Sequence, residues 1–152
     1  MSPRRRTAAM VTVTVAGLAI ATYLTIVHYT GGEAICQLSG GCEKVQTSSY
    51  ADLAGVPVAL LGLIGYAAIL ATFALPSGDR VRLLRVLLTG GGFAFSAYLT
   101  YAEVFVIEAI CQWCVASAVV MTILLVLTAI DFVQPPDDRD DRYSSLADTP
   151  VS

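Results

Sequence analysis

Long apolar runs broken by short polar stretches dominate the chain, with none of the period-3.6 alternation of a water-facing helix. A segment of about 20 mostly apolar residues is long enough to cross a bilayer, and four stretches meet that length: residues 8–29, 56–75, 83–102 and 113–133. Pro57 suits the first turn of the second stretch, and Pro135 and Pro136 close the fourth. Gly90, Gly91 and Gly92 inside the third would allow close helix contact, as small residues do in lipid. In lipid the backbone must satisfy its own polar groups, so four apolar runs predict an all-α integral membrane protein, a four-transmembrane-helix bundle. The first run reads as a retained span and not a cleaved signal peptide, because its apolar core is too long and no A-x-A site follows.

Composition agrees with this pattern. Hydrophobic residues make up 56% of the 152 and charged residues only 14%, against roughly 25% charged in a typical soluble domain. The charges that exist are segregated. Arg4, Arg5 and Arg6 precede the first run, Arg80, Arg82 and Arg85 surround the start of the third, and Arg139 and Arg142 follow the fourth. In a four-span arrangement all of these fall on one side and only Lys44 on the other. The positive-inside rule then places both termini in the cytoplasm, in a cell inner (cytoplasmic) membrane. Residues 1–7 form a basic cytoplasmic N-terminus, residues 8–133 the membrane domain, and residues 134–152 a disordered, acidic cytoplasmic tail. The Arg4–Arg6 cluster is a topology signal, and nothing suggests a nucleic-acid partner.

That orientation puts all four cysteines outside. Cys36 and Cys42 lie in the extracytoplasmic loop of residues 30–55, and Cys111 and Cys114 open the fourth run as C-x-x-C. Disulfides form and persist in such a compartment. The residues alone leave three readings: two structural staples, a tetrathiolate zinc site, or a redox relay. Zinc needs reduced ligands and is poorly served by C-x5-C as the second half-site. A Cys111–Cys114 bridge closes a very small ring and constrains little chain entropy, so it is a poor staple. Unpaired N–H groups at a helix start stabilise a thiolate. The apolar approach to this pair suits a lipid-soluble electron acceptor, and the loop pair suits a shuttle from water.

Cys36-x5-Cys42, Ser48 six residues on, the run AGVPVALLGLIGYA and Cys111-Gln112-Trp113-Cys114 at the last span together resemble bacterial members of the vitamin K epoxide reductase family. The resemblance covers residues 8–133. It implies a four-helix bundle around a membrane quinone, menaquinone or ubiquinone, that is reduced as disulfides form. Carried over, Cys114 would face the quinone, Cys111 would exchange with Cys42, and Cys36 would take electrons from a thioredoxin-fold, DsbA-like partner. Ser48 matches the family serine that bonds a quinone carbonyl or orders the site; a serine of a loop turn is its plain alternative. Vertebrate members use an asparagine and a tyrosine to bind vitamin K, whereas this chain has no Asn and carries Ala118 four residues after Cys114. That departure favours quinone reduction over epoxide reduction. With only a short polar tail after the fourth run, the redox partner is expected to be a separate protein.

Other residues have plainer readings. His28 could relay protons or simply sit at the interface. Glu103 and Glu108 fit interfacial solvation, Asp52 a cap before the second run, and Tyr98, Tyr101 and Trp113 an aromatic belt. The rival to a relay is a non-enzymatic tetraspan scaffold with outer loops stapled by Cys36–Cys42 and Cys111–Cys114.

Overall fold

Deprived of water, the apolar runs close their backbone hydrogen bonds within helices. The computed structural model describes residues 3–32, 34–36, 41–76 and 78–134. Helix α1 spans Pro3–Thr30, a short α2 spans Cys42–Gln46, α3 spans Val58–Ala71, α4 spans Asp79–Ala102 and α5 spans Gln112–Val133. Two strands, β1 (Asp52–Leu53) and β2 (Val56–Pro57), pair antiparallel ahead of α3, and a π turn, Glu103–Ile107, continues α4. Among the described residues three helices are long and apolar enough to cross a bilayer: α1, α4 with its π turn, and α5. The protein is therefore mostly helical and built for a lipid environment.

The expected second span needs correction. Residues 56–75 do not form one helix of membrane-spanning length. Val56 and Pro57 are taken up by the hairpin, whose two turn residues, Ala54 and Gly55, have φ of 53° and 83°, the left-handed pair that a two-residue hairpin turn demands. Pro57 caps α3 from outside, with φ −57° and ψ 130°. At the other end the helix stops at Ala71, and Arg85 bonds the capping residue that follows. Arg85 Nη2 donates to the Thr72 carbonyl at 3.1 Å and Nε to Thr72 Oγ1 at 3.0 Å, while the guanidinium lies 4.0 Å from the centre of the Phe73 ring. The remaining 14 residues make a helix about 21 Å long, short of the roughly 30 Å hydrocarbon core.

The helices pack α1 on α3 and α5, and α4 on α5, with much sparser contact between α3 and α4. Ala21, Tyr66, Ile69, Met121 and Leu124 form the buried core of α1, α3 and α5. Two glycines set the approach distances. A Cβ on Gly17 would collide with the Tyr66 ring, and one on Gly92 would lie 2.8 Å from the Met121 methyl. Of the glycine triplet in α4, only Gly92 makes so close a contact; Gly91 meets nothing. Polar side chains inside the bundle are satisfied locally: Thr14 and Thr25 each donate to the carbonyl four residues back. The Thr89 and Thr128 hydroxyls lie 2.9 Å apart, so one donates to the other and joins α4 to α5, while the second is left to donate to a carbonyl of its own helix.

Helices α1 and α5 run antiparallel, which separates two chemistries. At one end Arg6 reaches Asp131 at 3.8 Å and the Gln134 carbonyl at 3.0 Å, and Arg85 meets the same Asp131 at 3.8 Å. At the other end lie Tyr23, Trp113 and all four cysteines. The acidic tail from residue 135, like residues 37–40 of the loop between α1 and α2, falls outside the described residues.

Candidate functional site

The cysteine end is assembled from three separate chain segments. The stretch 34–36 is tied down beside the start of α5: Ile35 N donates to the Tyr23 hydroxyl at 3.0 Å, and its carbonyl accepts from Gln112 Nε2 at 3.0 Å and Trp113 Nε1 at 2.9 Å. The Tyr23 and Trp113 rings lie 5.0 Å apart. Trp113 is therefore a clamp on the loop as well as an interfacial aromatic. Cys36, so anchored, is bridged to Cys42 with their Cα atoms 6.1 Å apart. Gly41 brings α2 against the segment before α5 so closely that a Cβ would lie 2.7 Å from the Ile110 carbonyl. The result is one cluster in which Cys42, Val45 and Cys111 are buried and Cys36 and Cys114 pack around them. Cys42 and Cys111 are both wholly inaccessible to water.

Cys111 and Cys114 are free thiols. Cys111 is the N-cap of α5, and its sulfur accepts the Cys114 backbone N–H at 3.4 Å. The Cys114 thiol, hydrogen-bonded to it, holds the Cys111 sulfur below the ordinary thiol range, while burial pushes the other way. The nucleophilic thiolate of the pair thus belongs at Cys111, on the side of Cys42. Cys114, one turn deeper, opens instead on a cavity of about 160 Å³ between α1, α3, α4 and α5. Leu24, Tyr66, Phe95, Leu99 and Met121 supply apolar walls, and Glu103 lies at its edge. The Tyr66 hydroxyl is held by Ser117, at 2.9 Å from Oγ.

Glu103 had been explicable as an interfacial acid, yet it is 3% exposed. The π turn that starts at Glu103 ends at Glu108 in the left-handed region, φ 53°. The chain thereby doubles back so that Cys111 N donates to Glu103 Oε2 at 3.2 Å. Glu103 and Cys114 line the same cavity. Sequence reading missed this acid, and the signal available was its spacing of eight residues before Cys111, which helical periodicity does not connect.

Ser48 is not brought to Cys114. Its hydroxyl donates to the Val45 carbonyl at 2.7 Å, as a turn serine does after a helix, and it lines a shallow open depression with Lys44, Tyr50 and Glu108. His28 lies 3.8 Å from Asp52 of β1, so Asp52 pairs across the loop where a helix cap was expected. Among the described residues no group of three or more His, Cys, Asp or Glu side chains is placed to hold a metal.

The arrangement of a bridged loop pair, a dithiol pair packed on it and an apolar cavity behind the deeper thiol can be set beside known proteins. The family model for the vitamin K epoxide reductase family matches residues 8–129. The chain belongs to this family. Membership carries the expectation of a membrane oxidoreductase working through cysteines, and the match covers both cysteine pairs and all but the first turn of α1 and the last turn of α5.

Proposed function

We propose that this family member generates disulfides: it oxidises a separate thioredoxin-fold, DsbA-like protein on the extracytoplasmic side and passes two electrons to a membrane quinone. The observation that carries the reading is the contiguity of the two pairs, with Cys42 against Cys111 and Cys114 facing an apolar cavity. The arginine end is taken as cytoplasmic, with α3 counted as the fourth, short member of the bundle. A dry cavity of roughly 150 Å³ holds a benzene-sized ring, so the space behind Cys114 fits a quinone head, with Tyr66, Ser96, Thr100, Glu103 and Ser117 as its polar neighbours.

The exchange chemistry follows from which sulfur can reach which. The partner's dithiol reduces Cys36–Cys42 through Cys36, the less buried of the two, and leaves as a disulfide. Cys42 thiolate then attacks Cys111 of the Cys111–Cys114 bond, and Cys114 leaves. Cys36 attacks Cys42 in the mixed bond, Cys111 leaves, and the loop pair is closed again. The end state, loop bridged and motif pair reduced, is the one described here. Closing Cys111–Cys114 again releases two electrons and two protons, and a quinone supplies the matching two-electron, two-proton sink.

The test uses purified protein in detergent with dithiothreitol as reductant and a soluble quinone analogue as acceptor. Dithiothreitol can reduce the motif pair directly, so Cys36→Ala and Cys42→Ala should keep part of the activity. Cys111→Ala and Cys114→Ala should abolish it, since a two-electron step ending in a disulfide needs both sulfurs. Full activity in Cys114→Ala would sink the assignment and favour the stapled scaffold, which also requires permanently oxidised cysteines and no quinone in the lipid extract.

A further inference from the structure

A carboxyl group buried without a cation is costly, and in membrane-embedded helices such residues serve function far more often than structure. Glu103 is such a group. It lines the Cys114 cavity and also a second, smaller cavity of about 60 Å³ on the outer side, shared with Leu24, His28, Gln46, Tyr50 and Ala102. Among the described residues no Lys or Arg lines either space. The titratable groups that face Glu103 are Cys111 at the N-cap of α5, Cys114 of α5 and Tyr66 of α3 across the inner cavity, and, across the outer cavity, His28 of α1 and Tyr50 of the loop.

The outer cavity is suited to water. It offers several times the roughly 10–15 Å³ that one water needs. Gln46 Nε2 is buried there with no hydrogen-bond partner among the described residues. An amide N–H in that position needs an acceptor. His28, itself 3.8 Å from the half-exposed Asp52, carries the polar path to the surface.

We propose that Glu103 is the proton carrier of Cys114, exchanging protons with the outer surface through water in the cavity bounded by Gln46 and His28. The proposal rests on the relay reading above. The exchange step shows the need. Two S–H protons leave the loop pair as Cys36–Cys42 closes, and two must be gained as the Cys111–Cys114 bond becomes two thiols. Cys111 lies beside Cys42 and can gain its proton there. Cys114 leaves as a thiolate at the wall of an apolar cavity, where an unprotonated anion is strongly disfavoured. The acid that lines the same cavity is Glu103, which gives up its proton to the sulfur and is reprotonated from outside. When the motif pair closes again, the same carboxylate accepts the Cys114 proton.

The step is accessible without any quinone. Quinone-free protein, oxidised at both pairs, is mixed with dithiothreitol, quenched by acid at intervals and tagged at its thiols, so that mass spectrometry follows each pair. Glu103→Gln keeps an acceptor for Cys111 N and loses the exchangeable proton. It should slow reduction of the motif pair at least tenfold while the loop pair reacts at the wild-type rate, and Glu103→Asp should recover part of the loss. Gln46→Leu should slow the same step, and an unchanged rate there would overturn the outer route. Infrared difference spectra of the wild type, reduced minus oxidised, should contain a carboxyl band that shifts in D2O. Absence of that band overturns the proposal even if Glu103→Gln fails to fold, as does an unchanged motif-pair rate in a folded Glu103→Gln. If the wild type reduces no quinone, the relay reading falls on that ground alone, and the infrared and tagging measurements still decide whether Glu103 carries the proton.

Discussion

The two ends of the bundle each bury an acid, and they treat it in opposite ways. Asp131 near the end of α5 has guanidinium groups of Arg6 and Arg85 at 3.8 Å on either side. Arg85 is in turn bonded to Thr72, so α1, α4, α5 and the end of α3 meet at one carboxylate. Among the described residues Glu103 is paired with no cation; it accepts one backbone N–H and shares a cavity with the Cys114 thiol. An acid set between two arginines is paired on both sides and holds helices together. An acid beside a thiol can exchange a proton with it. Buried charge at the arginine end is structure, and at the cysteine end it is chemistry.

The largest expected effect breaks the structural end. Asp131→Ala leaves Arg85 buried without a counter-charge and should lower stability by about 3–5 kcal/mol, read as a fall in thermal unfolding temperature in detergent. The paired change Arg85→Met with Asp131→Leu removes both charges and should recover most of that loss. If the single substitution is harmless, the ion pairs do not hold the helices and the contrast fails.

A smaller effect sharpens the chemical end. Gly41→Ala adds a Cβ at 2.7 Å from the Ile110 carbonyl and must push the loop pair away from Cys111. Misplacement by about 1 Å can cost a reaction 100-fold. Turnover driven by the thioredoxin-fold partner should fall at least tenfold, with dithiothreitol-driven turnover kept in larger part because dithiothreitol can bypass the loop. Equal loss in both assays would mean that the substitution harmed the motif pair itself.

The smallest concerns the clamp. Trp113→Phe removes the bond to the Ile35 carbonyl and keeps a ring beside Tyr23. One net hydrogen bond is worth about 1 kcal/mol, so partner-driven turnover should drop roughly fivefold. No change would show that Gln112 and Tyr23 suffice to hold the loop.

What the sequence made legible was whatever depends on run length and residue type. Three spans follow from uninterrupted apolar stretches, and the cysteine pairs could be placed because they flank those stretches. The short α3 escaped because Val56 and Pro57 went to a hairpin and because its far end meets a side chain 13 positions away, Arg85, which bonds Thr72. Arg85 had been read as a marker of orientation, while its burial makes it a cap. Glu103 escaped because only a π turn aims it at Cys111, and a turn of that kind has no signature in hydrophobic pattern. Gly41 carries no signal in the sequence, and only the crossing at Ile110 gives it a reason. For Ser48 the family motif pointed to the quinone, whereas the local turn after α2 occupies its hydroxyl with Val45.

The shortness of α3 couples the fold to the thickness of the membrane around it. Its 14 residues leave about 9 Å of a typical hydrocarbon core uncovered on that side of the bundle, and the surrounding lipid must thin or the bundle must tilt to cover it. Longer acyl chains would draw the Arg85–Thr72 cap deeper into hydrocarbon, at rising cost. The long helices α1, α4 and α5 feel no such demand, so the lipids' chain length acts on this protein chiefly through one short helix.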